Sequence, residues 1–331
     1  MEFDVIIGNS FRSGLGPQAA IFALAAIGLN LHYGYTGLLN FGQVGFMMLG
    51  AYGMAVMVAT WGGSMWVGIP FGLGLSVAFA LALGIPTLRL RADYFAITTI
   101  AAAEILRILI RSSHATDLTG GPFGLQAVAG DFYDLSPIPD GRYGIGTFSY
   151  SDSQVWLLIV AWILVAICAA LVFLLVRSPW GRVIRAIRED EEAVRSLGKN
   201  TVSYKMQALI IGGVIGGLAG IVDAIQQSGV GSENFEPQVT FFAYAALILG
   251  GTATTAGPIV GAMLFWFLRE ATESFTRELS GQDWLPNFIA DFLDGSEGAI
   301  SISLTGLGLI LLITLRPQGI FGKREELQLD G

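Results

Sequence analysis

Charge is scarce in this sequence. Only 13% of its 331 residues are Asp, Glu, Lys or Arg, about half of the roughly 25% usual in a soluble domain. That shortage excludes a water-facing surface over most of the chain. Cysteine is almost absent: Cys168 stands alone inside an apolar run, so no disulfide framework exists. The two histidines, His32 and His114, are far apart and have no companion ligands at metal spacing. Neither a G-x-x-x-x-G-K-[ST] phosphate loop nor a G-x-S-x-G nucleophile elbow is present. The chain is therefore not expected to be an enzyme, and no catalytic residue, cofactor site or metal site is assigned. A net charge of −8 speaks against a nucleic-acid partner. Glu2 and Asp4 replace the basic region of a cleavable signal, so insertion through the chain's own spans is expected. The ten-residue alternating segments of a membrane β-barrel are missing too.

Oil and glycine are what the sequence does have. It is 53% hydrophobic with 44 glycines and a mean hydropathy of +0.63, as in a membrane bundle whose helices approach closely through small residues. A spanning helix needs about 20 predominantly apolar residues. On that rule spans are expected near 17–33, 40–60, 66–87, 93–111, 154–176, 204–227 and 302–316, with a shorter pair at 238–250 and 256–270. The fold class is thus an all-α polytopic membrane protein of about nine transmembrane helices. Some of these are short or broken, and the pair at 238–270 reads either as two crossings or as a re-entrant hairpin.

Residues 1–331 read as one transmembrane domain with a charged segment at 177–204 and two long loops at 112–153 and 271–301. Lys and Arg concentrate on cytoplasmic loops. Twelve of the 18 basic residues fall on one side: Arg89, Arg91, seven between Arg177 and Lys205, Arg316, Lys323 and Arg324. That side is expected to be cytoplasmic, with the N-terminus outside and the C-terminus inside. The two opposite loops are acidic, and the later one holds an amphipathic stretch, DWLPNFIADFL, expected to lie flat at the outer interface.

The charged segment reads as a single helix. From Gly181 to Leu197 apolar residues, among them Ile184, Ile187, Val194 and Leu197, recur at steps of three and four. Pro179 starts it and Gly198 follows as a C-cap. A basic interfacial helix could simply anchor to headgroups. Glu189, Asp190, Glu191 and Glu192 oppose that reading, because anionic lipid repels them, and mixed charge suits a protein partner.

Two glycine-interrupted stretches mark irregular backbone inside the membrane. The first surrounds Asn40, Gly42, Gln43 and Gly45; the second holds Gly250, Gly251 and Gly257. Such a pair points to a midplane transport site built from broken helices, against the alternative of close packing through small residues. Glu104 is an intramembrane acid, hence either a path residue or the partner of Arg107 three positions on. Asp223 is the other intramembrane acid, the only further candidate for an ion relay.

With these residues laid out, the chain resembles the LivM-type permeases of branched-chain amino-acid ABC importers. The matching stretches include ALAAIGLNLHYGYTGLLNFGQVGFMMLGAY, SPWGRVIRAIREDEEAVRSLGKNTVSYKMQALIIGGVIGGLAG, LILGGTATTAGPIVGAML and LILLITLRPQGIFG, in family order over nearly the whole chain. The resemblance implies that Gly181 to Asn200 is a cytoplasmic coupling segment docking on an ATP-binding subunit. Glu192, Ala193 and Gly198 look like a diverged E-A-A…G loop. Arg185, Arg188, Glu189 and Asp190 would set charge complementarity with that subunit, while Ile184, Ile187, Val194 and Leu197 pack. Implied partners are two ATP-binding subunits that bind ATP and Mg2+, a second LivH-like permease, an extracytoplasmic substrate-binding protein and membrane lipid. The implied function is alternating-access import of leucine, isoleucine and valine. Urea and short-amide importers use similar permeases, and an ion-coupled secondary transporter is the remaining alternative.

Overall fold

The computed structural model describes residues 3–145, 148–280, 296–315 and 319–322. The first helices are α1 (Phe3–Leu15) and α2 (Pro17–Leu29), the latter running into a π turn at Asn30–Tyr35. Then come α3 (Gln43–Ala55) with a π turn at Val56–Thr60, α4 (Met65–Thr87) and α5 (Ala92–Arg111). The loop that follows holds the short α6 (Thr116–Thr119) and α7 (Gly130–Tyr133). After it come α8 (Asp152–Arg177), α9 (Pro179–Glu189), α10 (Glu191–Ser196) and α11 (Thr201–Gln227). The chain closes with α12 (Pro237–Gly250), α13 (Gly257–Ser280) and α14 (Glu297–Leu315). Strands are minor: β1 (Leu125–Gln126) pairs with β4 (Gly229–Val230), and β2 (Arg142–Ile145) with β3 (Phe148–Ser151), both antiparallel.

Among the described residues, four helices are long and apolar enough to cross a membrane: 43–60, 65–87, 152–177 and 201–227. The pair α1–α2, bent by 41° at Gly16, makes a fifth. Helix α1 itself was not expected, since the first apolar run begins only near Pro17. It folds because Phe11 and Gly14 pack on Phe267 of α13, with the two phenyl rings edge-to-face at 5.1 Å. Helix α13 runs ten residues past its expected end, to Ser280, where it lies along α1. The amphipathic stretch at 283–293 and Arg316, Lys323 and Arg324 lie outside the described residues.

Helices α2, α3 and α11 form the core, and their packing follows from small residues. Gly50 of α3 sits between Gly217 of α11 and Gly72 of α4; a Cβ on Gly50 would stand 2.7 Å from the Gly217 Cα. Glycine alone permits backbones to meet like this. Helices α4, α5 and α8 each bury one stripe and leave the other apolar, with Ile85, Ile97 and Leu174 exposed. This is the pattern of a bundle rim facing lipid or another apolar surface.

Candidate functional site

The charged segment is two helices, not the single one its periodicity predicts. Ser178 accepts from the Gly181 N–H and Pro179 fills the first position, which starts α9. Asp190 then leaves helical geometry (φ −152°, ψ 99°) and its carboxylate accepts the Ala193 N–H at 2.9 Å, capping α10. An Asp followed by two glutamates is a helix start, and that local signal overrides the continuous apolar stripe. Gly198, at φ +78°, ends α10 as expected. Gly181, Ile184, Ile187 and Val194 are buried, but Leu197 is 80% exposed rather than packed.

The arginines expected to face a partner are exposed, yet each also bonds back to the bundle. Arg185 donates to the Val176 carbonyl at the end of α8 (2.6 Å), and Arg188 donates to the Gly34 carbonyl (2.5 Å) at the end of the α2 π turn. Both satisfy helix-end carbonyls that have no intrahelical donor. Glu189, Asp190, Glu192, Ala193, Leu197 and Gly198 are exposed beside them. Glu191, one of the four consecutive acids, ties α10 to α11. It accepts from Lys205, from Thr201 at 2.9 Å and from Arg195 at 3.0 Å. Partial burial pushes its carboxyl up, but the Lys205 hydrogen bond and charge outweigh this and hold it below the usual carboxylate range.

Both glycine-rich breaks lie toward this same charged end rather than midway along the bundle. Residues 36–42 leave the helix beside Arg188, which reaches across Gly37. The α12–α13 turn at 251–256 is clamped by Asn30, whose Oδ1 accepts the Ala253 N–H (2.9 Å) and whose amide donates to the Thr254 carbonyl (2.8 Å). Gly250 and Gly257 meet backbone to backbone, and Gly251 takes φ +111°, open to glycine. The amides of Ile320 and Phe321 donate to Leu249 and Gly250, so the segment after α14 also closes on this turn.

Asn40 and Gln43 are fully buried and hydrogen-bonded. Asn40 bonds His32 Nδ1 (3.0 Å) and Gln43 Oε1 (3.3 Å), and accepts the Gly42 N–H (2.9 Å). Gln43 reaches the Ala25 and Gly212 carbonyls, each at 3.4 Å, and His32 Nε2 contacts the Leu209 carbonyl at 3.1 Å. Tyr244 donates to the Asn40 carbonyl (3.2 Å). The network joins α2, α3, α11 and α12, and its polar atoms are satisfied as burial demands. Gly42 abuts Thr99 of α5, and Gly45 abuts Phe79 and Ala103.

Glu104 and Arg107 form the pair their spacing predicts, through two bonds of 2.6 and 2.8 Å on one face of α5. At the far end of the bundle an open cavity of about 690 Å3 is lined by Arg12, Gln18, Tyr133, Tyr150, Gln226 and Glu270. A second of about 140 Å3 lies against it through Gln18 and holds Asp223, which accepts from Gln227 (2.9 Å).

Residues 14–293 match the family described as branched-chain amino acid transport system, permease component. The chain belongs to this permease family. The permease LivM of the high-affinity branched-chain amino acid transport system of Salmonella typhimurium is 32% identical to it over 316 residues, covering 92% of this chain and 69% of that protein. A probable LivM of Methanocaldococcus jannaschii is 23% identical, over 92% of this chain and 91% of its own. The match extends, over 43% of this chain at 32% identity, to LsrC, an autoinducer 2 import permease of Photorhabdus laumondii.

The permease thus brings the expected residues together in two groups. Gly181, Ile184, Arg185, Ile187 and Arg188 knit α9 to α8 and the α2 π turn, whereas Asn40, Gln43, Gly250, Gly251 and Gly257 gather where α2, α3 and α12 meet. Glu104 stands apart from both, on α5. Asn30 is not distinguished in the sequence, and the sequence assigns neither His32 nor Glu191 a place in these groups. Asn30 and His32 sit in the expected span 17–33, where a polar side chain at membrane depth is the available signal.

Proposed function

We propose that this permease forms the translocation path of an ATP-driven importer for branched-chain amino acids. The observation that carries this reading is the α9–α10 unit. It offers acids, Ala193 and Leu197 outward, while Arg185, Arg188 and Glu191 bind it to three other elements. A helix pair built that way passes force from outside the bundle to α8, α2 and α11. In the proposal α9–α10 docks on a cytoplasmic ATP-binding subunit, which binds and hydrolyses ATP with Mg2+. A second permease completes the path, and an extracytoplasmic binding protein delivers substrate.

The charged end then faces the cytoplasm and the N-terminus lies outside. The turn at 251–256 shares the charged end with α9, which favours reading α12 and α13 as two crossings and the chain as about nine. Movement of α9–α10 would alternate access. Glu104, the breaks around Asn40 and Gly251, and their neighbours are the proposed path region.

The test is uptake of radiolabelled leucine, isoleucine and valine by proteoliposomes holding the permease with its co-purified partners. ATP-dependent uptake of these three supports the reading. Uptake of urea or a short amide instead moves the substrate within the same class of importer. Uptake that persists without ATP and partners replaces the proposal with an ion-coupled transporter.

A further inference from the structure

We propose that the charged end of the permease carries a site for a phosphate group, supplied by the headgroup of an anionic phospholipid. Two adjoining cavities of about 200 and 420 Å3 open between α9–α10, the turn from Leu88 to Arg91, the segment 36–39 and the start of α11. They share Leu88, Leu90 and Glu191. Six cations line them: Arg89, Arg91, Arg188, Arg195, Lys199 and Lys205. Glu191 is the one carboxylate among the lining residues, and Lys205, Arg195 and Thr201 already occupy it. The nearby acids Asp93, Glu189, Asp190 and Glu192 line neither cavity. An excess of five positive charges around one recess repels itself and attracts an anion.

Two further features choose the anion. Arg91 stands at the N-cap of α5 and makes no side-chain cap bond, so the first-turn N–H groups have no side-chain acceptor there. Arg91 and Ala92 line the smaller cavity, which sets a helix N-terminus beside the guanidinium groups, the arrangement that favours phosphate. The neighbouring ends of α4 and α5 expose Ile85, Leu90, Tyr94 and Ile97. A free anion has no use for that apolar surface, whereas a phospholipid covers it with its acyl chains while its headgroup fills the basic recess. The site joins the α4–α5 turn to α9–α10 and depends on nothing about the transported substrate.

Native mass spectrometry of the detergent-purified permease tests this, with phosphatidylglycerol or phosphatidylcholine of matched chains added. Wild type is expected to retain phosphatidylglycerol in preference to phosphatidylcholine. The double substitution Arg89→Gln/Arg91→Gln should weaken that retention roughly 10- to 30-fold, the loss of two headgroup cations. Arg89→Lys/Arg91→Lys should keep most of it. Equal retention of the two lipids by wild type, or unchanged retention by the glutamine variant, overturns the proposal. The wild-type comparison stands even if the glutamine variant does not fold. Displacement of bound phosphatidylglycerol by millimolar inorganic phosphate would assign the recess to a soluble anion and overturn the lipid source.

Discussion

Arg188 donates to the carbonyl oxygen of Gly34 across 2.5 Å, joining the charged helix α9 to the π turn that ends α2. Arg188→Ala should remove a charged hydrogen bond of about 1.5–3 kcal/mol and leave insertion intact. Leucine-stimulated ATP hydrolysis of the reconstituted complex should fall several-fold. Full stimulation in that variant would mean the joint carries no force.

The glycine seam predicts opposite outcomes for two chemically similar changes. Gly220→Val drives a side chain into the Met47 backbone, an overpacking that costs about 1–3 kcal/mol or more. Gly74→Ala adds a methyl where nothing lies within 4 Å, and should stabilise by up to about 1 kcal/mol. Thermal unfolding in detergent, read by size-exclusion recovery, separates them.

Backbone conformation in the α12–α13 turn gives a second contrasting pair. Gly251→Ala places an L side chain at φ +111°, with an expected cost of about 1–3 kcal/mol. Ala253 already sits at φ +56°, so Ala253→Gly should be neutral or gain up to about 1 kcal/mol. Reversed signs in the melting temperatures would show that the turn relaxes freely.

For the α5 pair, a double-mutant cycle with Glu104→Gln and Arg107→Gln is the informative experiment. Each single change strands a charge, so the double change should recover part of the lost stability, with a coupling of about 0.5–3 kcal/mol. Additive losses would show the two charges ignoring each other. Transport by the double variant then tells whether Glu104 acts on substrate beyond its pairing.

The contact between α10 and α11 should depend on acid. Glu191 is held below its usual value, so its contribution is complete above the unfolded carboxylate value of about 4.3. It is lost as pH falls through the lower folded value. Hydrogen-exchange protection across 190–205, taken relative to the intrinsic rate at each pH, should therefore fall below about pH 4 and show no such dependence in Glu191→Gln. An unchanged profile in wild type would refute the link.

Long apolar stretches were legible because hydropathy over twenty residues is a local property, and α4, α5 and α8 begin within two residues of expectation. What failed was decided by neighbours. Helix α1 needs α13 to lie against, and the extra length of α13 needs α1. The break at Asp190 was readable as a cap but masked by the stripe from Ile184 to Leu197. The bonds that Arg185 and Arg188 make back to the bundle are not readable in the sequence, because the carbonyls they reach belong to Val176, nine residues back, and Gly34, far off in sequence. Asn40 and Gln43 stand out in the sequence as polar groups at membrane depth, but their partner His32 does not, because it is held by an amide and a carbonyl that no spacing reveals.

Gly50 lies between Gly72 and Gly217, so at that point α3, α4 and α11 touch through main chain. A contact between side chains can yield by changing rotamer; a contact between peptide groups has no such slack. These three helices must therefore tilt together as one plate. A displacement applied at Thr201, where Glu191 grips α11, reaches Gln227 about 39 Å away with little lost motion.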